Sequence, residues 1–273
     1  MRLSKKFIVQ FHKTIFEWWQ ENKRDLPWRH THDPYKILLS EVMLQQTQVP
    51  RVLSVYTEFL KKFPTVVDLA NASTGDVLRA WKGMGYNRRA LYLKKAAQSV
   101  VFDYNGIFPR DRAILNSLSG VGEYTAGAIQ VFAYKMDVSM VDTNIRKIIT
   151  HFFFDDIPQK ERVILDVAER LVPIGRSWQW HQALMDYGAL VMAKQKRIKK
   201  FLRQPRVPFV LTNRFFRGQI LDDLRVRPRN LRTLKEKYIN EHLVSDERMD
   251  LILKKLRQDG LVEITDGVIQ LPW

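Results

Sequence analysis

The sequence of 273 residues contains no cysteine. Disulfides, thiolate nucleophiles, cysteine-ligated zinc and iron–sulfur clusters are thereby excluded. Acidic residues are scarce, because 29 Asp and Glu stand against 45 Lys and Arg, which leaves a net charge of +16. Such an excess attracts polyanions, and nucleic acids are the commonest of these inside a cell.

Long apolar runs are also missing, since none reaches the roughly 18–20 residues that cross a bilayer. The N-terminal stretch begins with basic residues, but its apolar residues, among them Phe7, Phe11 and Ile15, recur at helical spacing, and no small-residue cleavage site follows. We interpret this stretch as a first helix and not as a signal peptide. We therefore expect an intracellular protein, cytoplasmic and associated with the nucleoid, without a membrane partner.

Helical spacing of apolar residues continues to about residue 200, and strand-like alternation is nearly absent. Asp33 and Pro34 supply an N-cap and a first-turn proline for the helix that follows. The pattern predicts a mainly α domain over residues 1–200. Further helices are expected over Val49–Lys62, Ser73–Trp81, Arg88–Tyr104, Arg112–Leu118, Glu123–Ala133, Thr143–Phe153, Gln159–Leu171 and Trp178–Lys194.

The segment Lys194–Arg206 differs in composition, because it holds seven Lys or Arg and no acid. It predicts a linker to a second domain. Near the C-terminus, Asp266-Gly267 is a two-residue turn signal between alternating segments and indicates a β-hairpin. Residues 208–273 are therefore predicted to form a small winged-helix domain, with helices over about Arg214–Leu224, Asn230–Tyr238 and Asp246–Gln258.

A glycine hairpin between two predicted helices is the sharpest local motif, in the segment Leu118–Ile129. Gly120 and Gly122 allow backbone N–H groups to point outward beside a helix N-terminus, which suits a phosphate. A simple tight helix–helix joint is the plainer interpretation. The full pattern resembles the helix–hairpin–helix DNA-binding element.

Two carboxylates are candidates for chemistry. Asp142 follows a short apolar run at the start of a predicted helix, where an ordinary N-cap is the plainer interpretation. Glu41 shares one helical face with Leu38, Leu44 and Gln45 and so lies within an apolar stripe. Burial there would raise the pKa of Glu41 towards that of a general acid, whereas a Glu at a helix edge would only face solvent.

The surrounding motifs resemble those of adenine glycosylases that act on mismatches, the bacterial MutY family within the helix–hairpin–helix glycosylases. The resemblance covers roughly residues 7–195 and implies their two-lobed helical fold. Its motifs, in order, are LPWR at Leu26–Arg29, DPYKILLSEVMLQQTQV at Asp33–Val49, WKGMGYNRRA at Trp81–Ala90, the hairpin, Val141-Asp142, and QALMDYGA at Gln182–Ala189.

The resemblance implies four catalytic roles. Glu41 would protonate adenine at N7, and Asp142 would stabilise the positive sugar, or bond to it transiently, before water attacks. Tyr124 occupies the position where bifunctional relatives carry a Schiff-base lysine, so base removal without strand cleavage is expected. Asn144 would help to hold the geometry.

Further roles concern DNA. Gln45 and Tyr86 match residues that probe and wedge the duplex, which base extrusion requires. Trp28, Arg29 and Gln182 would line the base pocket or its approach. The hairpin glycines would bind a phosphate, helped by a monovalent cation. The implied partner is double-stranded DNA with a mismatch or lesion, bound by a monomer that needs no cofactor for catalysis and holds no metal.

The sequence departs from the family in two places. The four cysteines that hold a [4Fe–4S] cluster in most relatives are absent, and a basic segment stands there instead. We expect its Lys196, Arg197, Lys199 and Lys200 to contact phosphates. Residues 208–273 are also too few for the Nudix-like domain that reads 8-oxoguanine, so the mispair is left open.

Two alternatives remain open. A thymine or uracil glycosylase acting on T·G or U·G mismatches shares the hairpin, the tyrosine and the aspartate, although Leu44–Thr47 favours adenine. A regulator that binds DNA through the winged helix without catalysis would be indifferent to loss of Glu41 or Asp142. A strand-cutting endonuclease of the same fold is disfavoured by Tyr124.

Overall fold

The computed structural model of the protein describes residues 3–192, 208–242 and 244–273. These residues are mainly helical, as predicted, and none of the described helices is long and apolar enough to cross a membrane. The helices are α1 (Lys5–Asn22), α2 (Pro34–Leu44), α3 (Val49–Lys62), α4 (Val66–Asn71), α5 (Thr74–Ala80), α6 (Arg88–Asp103), α7 (Arg112–Ser117), α8 (Glu123–Phe132), α9 (Thr143–Phe154), α10 (Glu161–Leu171), α11 (Ser177–Tyr187), α12 (Asn213–Val226), α13 (Leu231–His242) and α14 (Asp246–Gln258).

Local sequence explains most helix ends. The carboxylate of Asp33 accepts a hydrogen bond of 2.9 Å from the amide of Tyr35, which caps α2 as expected. Helix α4 was not predicted, because six residues are too few to show a helical period; a capping box of Thr65 and Asp68 starts it. Helix α11 ends at Tyr187, earlier than predicted, and a π-helical turn (Gly188–Met192) follows.

The described residues fall into two compact units. The first lies within Met1–Glu41 and Phe108–Lys200. Its core joins α1, α9, α10 and α11 through buried apolar side chains such as Ile15, Ile148 and Leu171. Aromatic rings pack edge to face there, with 5.5 Å between the ring centroids of Phe11 and Trp180.

The second unit lies within Val42–Ile107 and Phe201–Trp273. In it the C-terminal segment packs on the helices of the earlier stretch, where the carbonyl of Pro272 accepts a 2.6 Å hydrogen bond from the amide of Gly75. A β-carbon at Gly75 would lie 2.9 Å from that carbonyl oxygen, so the contact requires glycine.

Three short antiparallel strands accompany α12–α14, in the order β1-β3-β2. The predicted hairpin is present, with Asp266 and Gly267 at φ 49° and 74° as a type I′ turn demands. Strand β1 was not predicted because two residues show no alternation. The chain order of these elements agrees with a winged helix, and its standing as a separate domain stays a prediction. The strands are β1 (Arg229–Asn230), β2 (Glu263–Thr265) and β3 (Val268–Gln270).

Candidate active site

Glu41 lies near the end of α2 with only 5% of its surface exposed. Its carboxyl accepts a hydrogen bond from the hydroxyl of Tyr124 and interacts electrostatically with Asp142. Burial raises the pKa of Glu41 to about 7; the Tyr124 hydrogen bond opposes the rise and the Asp142 charge adds to it. The carboxyl is therefore mostly protonated below pH 7 and loses its proton as the pH rises through 7; its place in the apolar stripe predicted such a rise of the pKa.

Tyr124 lies in the first turn of α8, directly after the glycine hairpin. Burial and the neighbouring charges of Glu41 and Asp142 raise the pKa of its phenol well above the ordinary value. The phenol is therefore a stable hydrogen-bond donor to Glu41. A phenol cannot condense with a sugar aldehyde to an imine, so this position offers no Schiff-base nucleophile.

Asp142 is the N-cap of α9, and both of its carboxylate oxygens are engaged. Oδ1 accepts a 2.7 Å hydrogen bond from the amide of Ile145, and Oδ2 accepts one of 3.1 Å from Nδ2 of Asn144. Burial raises the pKa of Asp142, while the bonds from Ile145 and Asn144 oppose the rise. The plain N-cap interpretation thus holds, and this fixed carboxylate lies near enough to Glu41 and Tyr124 for its charge to raise the pKa of both.

Gly188 and His181 contact residues that flank Asp142 in the chain, Asn144 and Met140, and sequence reasoning did not single them out. A β-carbon at Gly188 would lie 2.5 Å from the β-carbon of Asn144, so only glycine permits this approach. His181 is buried, and its Nε2 accepts a 3.3 Å hydrogen bond from the amide of Met140. Burial lowers the pKa of His181 to about 4, which keeps the ring neutral and able to accept. The available signal was the QALMDYGA motif, which contains Gly188 and is directly preceded by His181.

The helix–hairpin–helix element is formed by α7, the hairpin and α8. Gly120 has a φ of 76°, a conformation that favours glycine. Gly122 is the N-cap of α8, and no heavy atom lies within 4 Å of a β-carbon built there. Both glycines are exposed. The hairpin therefore presents open backbone at a helix N-terminus, and its binding of a phosphate stays a prediction.

Arg29, expected at the base pocket, forms a bidentate ion pair inside the first unit. Its Nη1 and Nη2 lie 2.7 and 2.8 Å from the carboxylate oxygens of Asp186, which is fully buried. Burial would raise the pKa of Asp186, but the bonds and charges of Arg29 and Arg24 outweigh it and lower that pKa. The predicted neighbours Trp28 and Gln182 are buried. The structure thus shows Arg29 in a buried structural ion pair with Asp186. The predicted contact of Arg29 with a base stays a prediction.

Gln45 and Tyr86 lie in the second unit, where one guanidinium joins their loops. Nη1 of the buried Arg89 donates to the carbonyls of Val42, Met43 and Gln45 at 2.7–2.9 Å. Its Nη2 donates to Oγ1 of Thr47 and to the carbonyls of Met84 and Gly85 at 3.0–3.2 Å. Arg89 therefore brings the two residues predicted to probe the duplex to one edge of this unit. The sequence showed it only as one arginine of the WKGMGYNRRA motif.

The predicted phosphate contacts Lys196, Arg197, Lys199 and Lys200 lie outside the described residues. Within the described ranges, no group of three or more His, Asp or Glu side chains could hold a metal ion. A cysteine-ligated cluster does not fit this chain at any position, since it has no cysteine.

Comparison with known proteins agrees with this geometry. A family model described as HhH-GPD superfamily base excision DNA repair protein matches residues 39–173. An adenine DNA glycosylase of Mycolicibacterium smegmatis is 32% identical and covers 93% of each chain. A thymine/uracil-DNA glycosylase of Methanothermobacter thermautotrophicus is 34% identical and covers 68% of this chain and 86% of its own.

Other relatives are longer. The chain is 36% identical to an adenine DNA glycosylase of Buchnera aphidicola over 67% of its length but spans only 53% of that relative. Among solved structures, that of a thermostable thymine-DNA glycosylase superimposes with a TM-score of 0.65 at 33% identity, covering 70% of this chain and 90% of the other.

Proposed function

The chain belongs to the helix–hairpin–helix superfamily of base excision DNA repair proteins, and from this premise we propose that it is a monofunctional DNA glycosylase that removes adenine mispaired with 8-oxoguanine or guanine. The observation that carries the proposal is the pairing of Glu41, whose raised pKa of about 7 lets it deliver a proton near neutral pH, with the fixed carboxylate of Asp142. An acid for the base and an anion for the sugar are the two groups that N-glycoside hydrolysis needs.

In the proposed reaction Glu41 protonates N7 of adenine, which turns a poor anionic leaving group into a neutral one. The bond between C1′ and N9 breaks, and the positive charge that develops on the sugar is stabilised by Asp142. Water then attacks C1′, and the proton that it loses balances the one that adenine takes. Tyr124 holds Glu41 in place, and Asn144 holds Asp142.

No strand-cleaving step is proposed, because Tyr124 stands at the place of the Schiff-base lysine in bifunctional relatives. Borohydride added during turnover should trap no covalent adduct between the protein and DNA. Recovery of such an adduct would overturn the assignment as monofunctional.

Adenine is favoured over thymine or uracil by two observations. The acid at Glu41 is suited to a purine, which has a basic N7, whereas thymine and uracil have no such ring nitrogen to accept its proton. The match to the Mycolicibacterium smegmatis adenine glycosylase extends into the C-terminal segment, since it covers 93% of the chain. The similarity to thymine/uracil glycosylases keeps T·G and U·G mismatches as the second candidate.

A panel of duplexes separates these candidates. Purified protein is incubated with A·8-oxoG, A·G, T·G, U·G and matched pairs, and alkali then reveals abasic sites. We expect cleavage at adenine; cleavage at thymine or uracil alone would establish the second candidate. The variant Asp142→Asn should lose turnover while binding mismatched DNA nearly as well as the wild type. Undiminished turnover would refute the role of Asp142.

We further propose that the protein acts as a monomer on intracellular double-stranded DNA, with a phosphate and a monovalent cation at Gly120 and Gly122. Several similar folds, including an endonuclease III, were solved in complex with DNA. The basic residues between Lys196 and Lys200 are proposed as further phosphate contacts. Reversal of their charges should flatten the dependence of DNA affinity on salt.

A further inference from the structure

Tyr86 is held in an unusual way for an exposed aromatic residue. Its φ of 45° lies in the left-handed region, which costs a bulky residue about 1–3 kcal/mol. Although 41% of its surface is exposed, the guanidinium of Arg214 stacks over its ring at 4.0 Å and donates a 2.9 Å hydrogen bond to its hydroxyl. The strain and the stacking indicate a ring held ready for a contact outside the chain.

A cavity of about 730 Å³ opens beside this pair, within the second unit. We call it the Tyr86 pocket. Its walls come from the loop and helix around Tyr86 and from the start of the C-terminal segment. Such a volume falls in the range of pockets that accept a small ligand, roughly 300–1,000 Å³. The residues that line it include Tyr86, Arg88, Tyr92, Phe209, Arg214 and Arg217.

The arginines of the Tyr86 pocket differ in their partners, and the guanidinium of Arg89 is taken up by backbone carbonyls. Asp259 forms ion pairs with both Arg88 and Arg217. Arg214, in contrast, has no carboxylate partner among residues 3–192, 208–242 and 244–273. Its guanidinium lies 4.0 Å from the ring centroid of Tyr86 and 5.8 Å from that of Phe209, and 58% of the surface of Phe209 is exposed. An unpaired planar cation beside two exposed aromatic rings is suited to the face and edge of a nucleobase.

We propose that the Tyr86 pocket binds the guanine-type base opposite the excised adenine, with Arg214 donating to its oxygen edge. Arginine is the side chain that most often recognises guanine, through two parallel hydrogen bonds to O6 and N7, and 8-oxoguanine, whose N7 carries a proton, still offers O6 as an acceptor. Tyr86 and Gln45, predicted to probe the duplex, share the guanidinium of Arg89, so the pocket adjoins the point where the duplex is probed. In this proposal the C-terminal segment, through Arg214, contributes to recognition of the opposite base. The inference rests on the proposed adenine excision.

Equilibrium binding tests the pocket without any base excision. The full chain is titrated against labelled duplexes in which a tetrahydrofuran abasic analogue replaces adenine, opposite 8-oxoguanine, guanine, cytosine or thymine. We expect the wild type to bind the two guanine-type duplexes more tightly. Arg214→Ala should reduce that preference about 10-fold, the value of one bidentate base contact. Arg214→Lys keeps the positive charge but not the planar guanidinium that donates two parallel hydrogen bonds. This variant should therefore lose the preference for guanine-type duplexes while keeping its affinity for the cytosine duplex.

Arg232→Ala is the matched control, because it removes one arginine whose side chain is 88% exposed on α13. It should retain the preference. An equal loss on all four duplexes with Arg214→Ala and Arg214→Lys would indicate a phosphate contact and overturn the proposal. Binding that is unchanged by both Arg214 substitutions would also overturn the proposal and would leave the pocket to a protein partner. A wild type that shows no preference for the guanine-type duplexes would overturn it as well. If Arg214→Ala unfolds, Arg214→Lys decides alone. The abasic analogue has no base to release, so these binding measurements do not depend on adenine excision. A failure of excision would appear in the duplex-cleavage assay and would leave the binding result unchanged.

Discussion

Glu41→Gln is the substitution whose effect on stability can be worked out most fully. In the folded protein the pKa of Glu41 is about 7, against 4.5 in a solvated chain. Between these two values the folded state keeps the proton and the unfolded state loses it. The unfolded state is therefore favoured as the pH rises, and the free energy of unfolding of the wild type falls across this window. Glutamine has nearly the same shape and cannot ionise, so the variant lacks this loss.

The rise of the pKa from 4.5 to about 7 corresponds to about 3 kcal/mol. Below pH 4.5 both states are protonated, and above pH 7 both are ionised, so the difference between variant and wild type should change only between these limits. Urea unfolding of both proteins at pH 5, 6, 7 and 8 measures it. The variant should gain stability relative to the wild type with rising pH, by up to about 3 kcal/mol in total.

A difference that stays constant across the series would refute the reasoning, because it would mean that Glu41 is ionised in the folded state throughout. Glu263→Gln is a suitable control, since Glu263 is exposed on β2. It should show no such dependence on pH.

The same buried proton predicts that the rate of adenine excision by the wild type declines as the pH rises through 7, and that Glu41→Gln is inactive at every pH.

Three further substitutions test the scaffold by urea unfolding. Arg89→Ala removes six hydrogen bonds from a buried guanidinium and should cost about 3–5 kcal/mol; a loss below about 1 kcal/mol would mean that water replaces it. Asp186→Asn leaves the charge of Arg29 buried and unpaired and should cost a similar amount, so an unchanged midpoint would contradict the bidentate pair. Gly188→Ala places a β-carbon 2.5 Å from Asn144 and should lower both stability and excision, whereas Gly218→Ala, in open space on α12, should leave stability unchanged.

Sequence patterns predicted the helices well because their apolar periods and caps are local. The bounds of α3 and α14 agree with the prediction to the residue. Helix α4 and strand β1 were not predicted, because each is too short to show a periodic pattern of apolar residues. A capping box starts α4, and pairing with β3 fixes β1. Periodicity reports only what repeats along the chain.

The site was predictable to the extent that its residues stand in recognisable motifs. Glu41, Tyr124 and Asp142 were named from such context, and the structure brings the three together. The roles of Gly188 and His181 were not predictable, because these residues contact Asn144 and Met140, which lie more than 40 positions away in the chain. Arg29 also has a partner that its motif could not reveal, because Asp186 lies 157 residues further along the chain; the base contact suggested by the motif stays a prediction.

The roles of the two carboxyls follow from their surroundings rather than from their type. Burial raises the pKa of both, but the opposing contacts differ in number and kind. Glu41 is opposed by one neutral phenol, whereas Asp142 is opposed by the amide of Ile145, by Asn144 and by the charge of Lys147. Donors fixed at a helix N-terminus favour the anion, and a phenol in an apolar stripe does so far less. These contacts support the proposed division of roles, in which Glu41 carries a proton to the base and Asp142 meets the sugar as an anion.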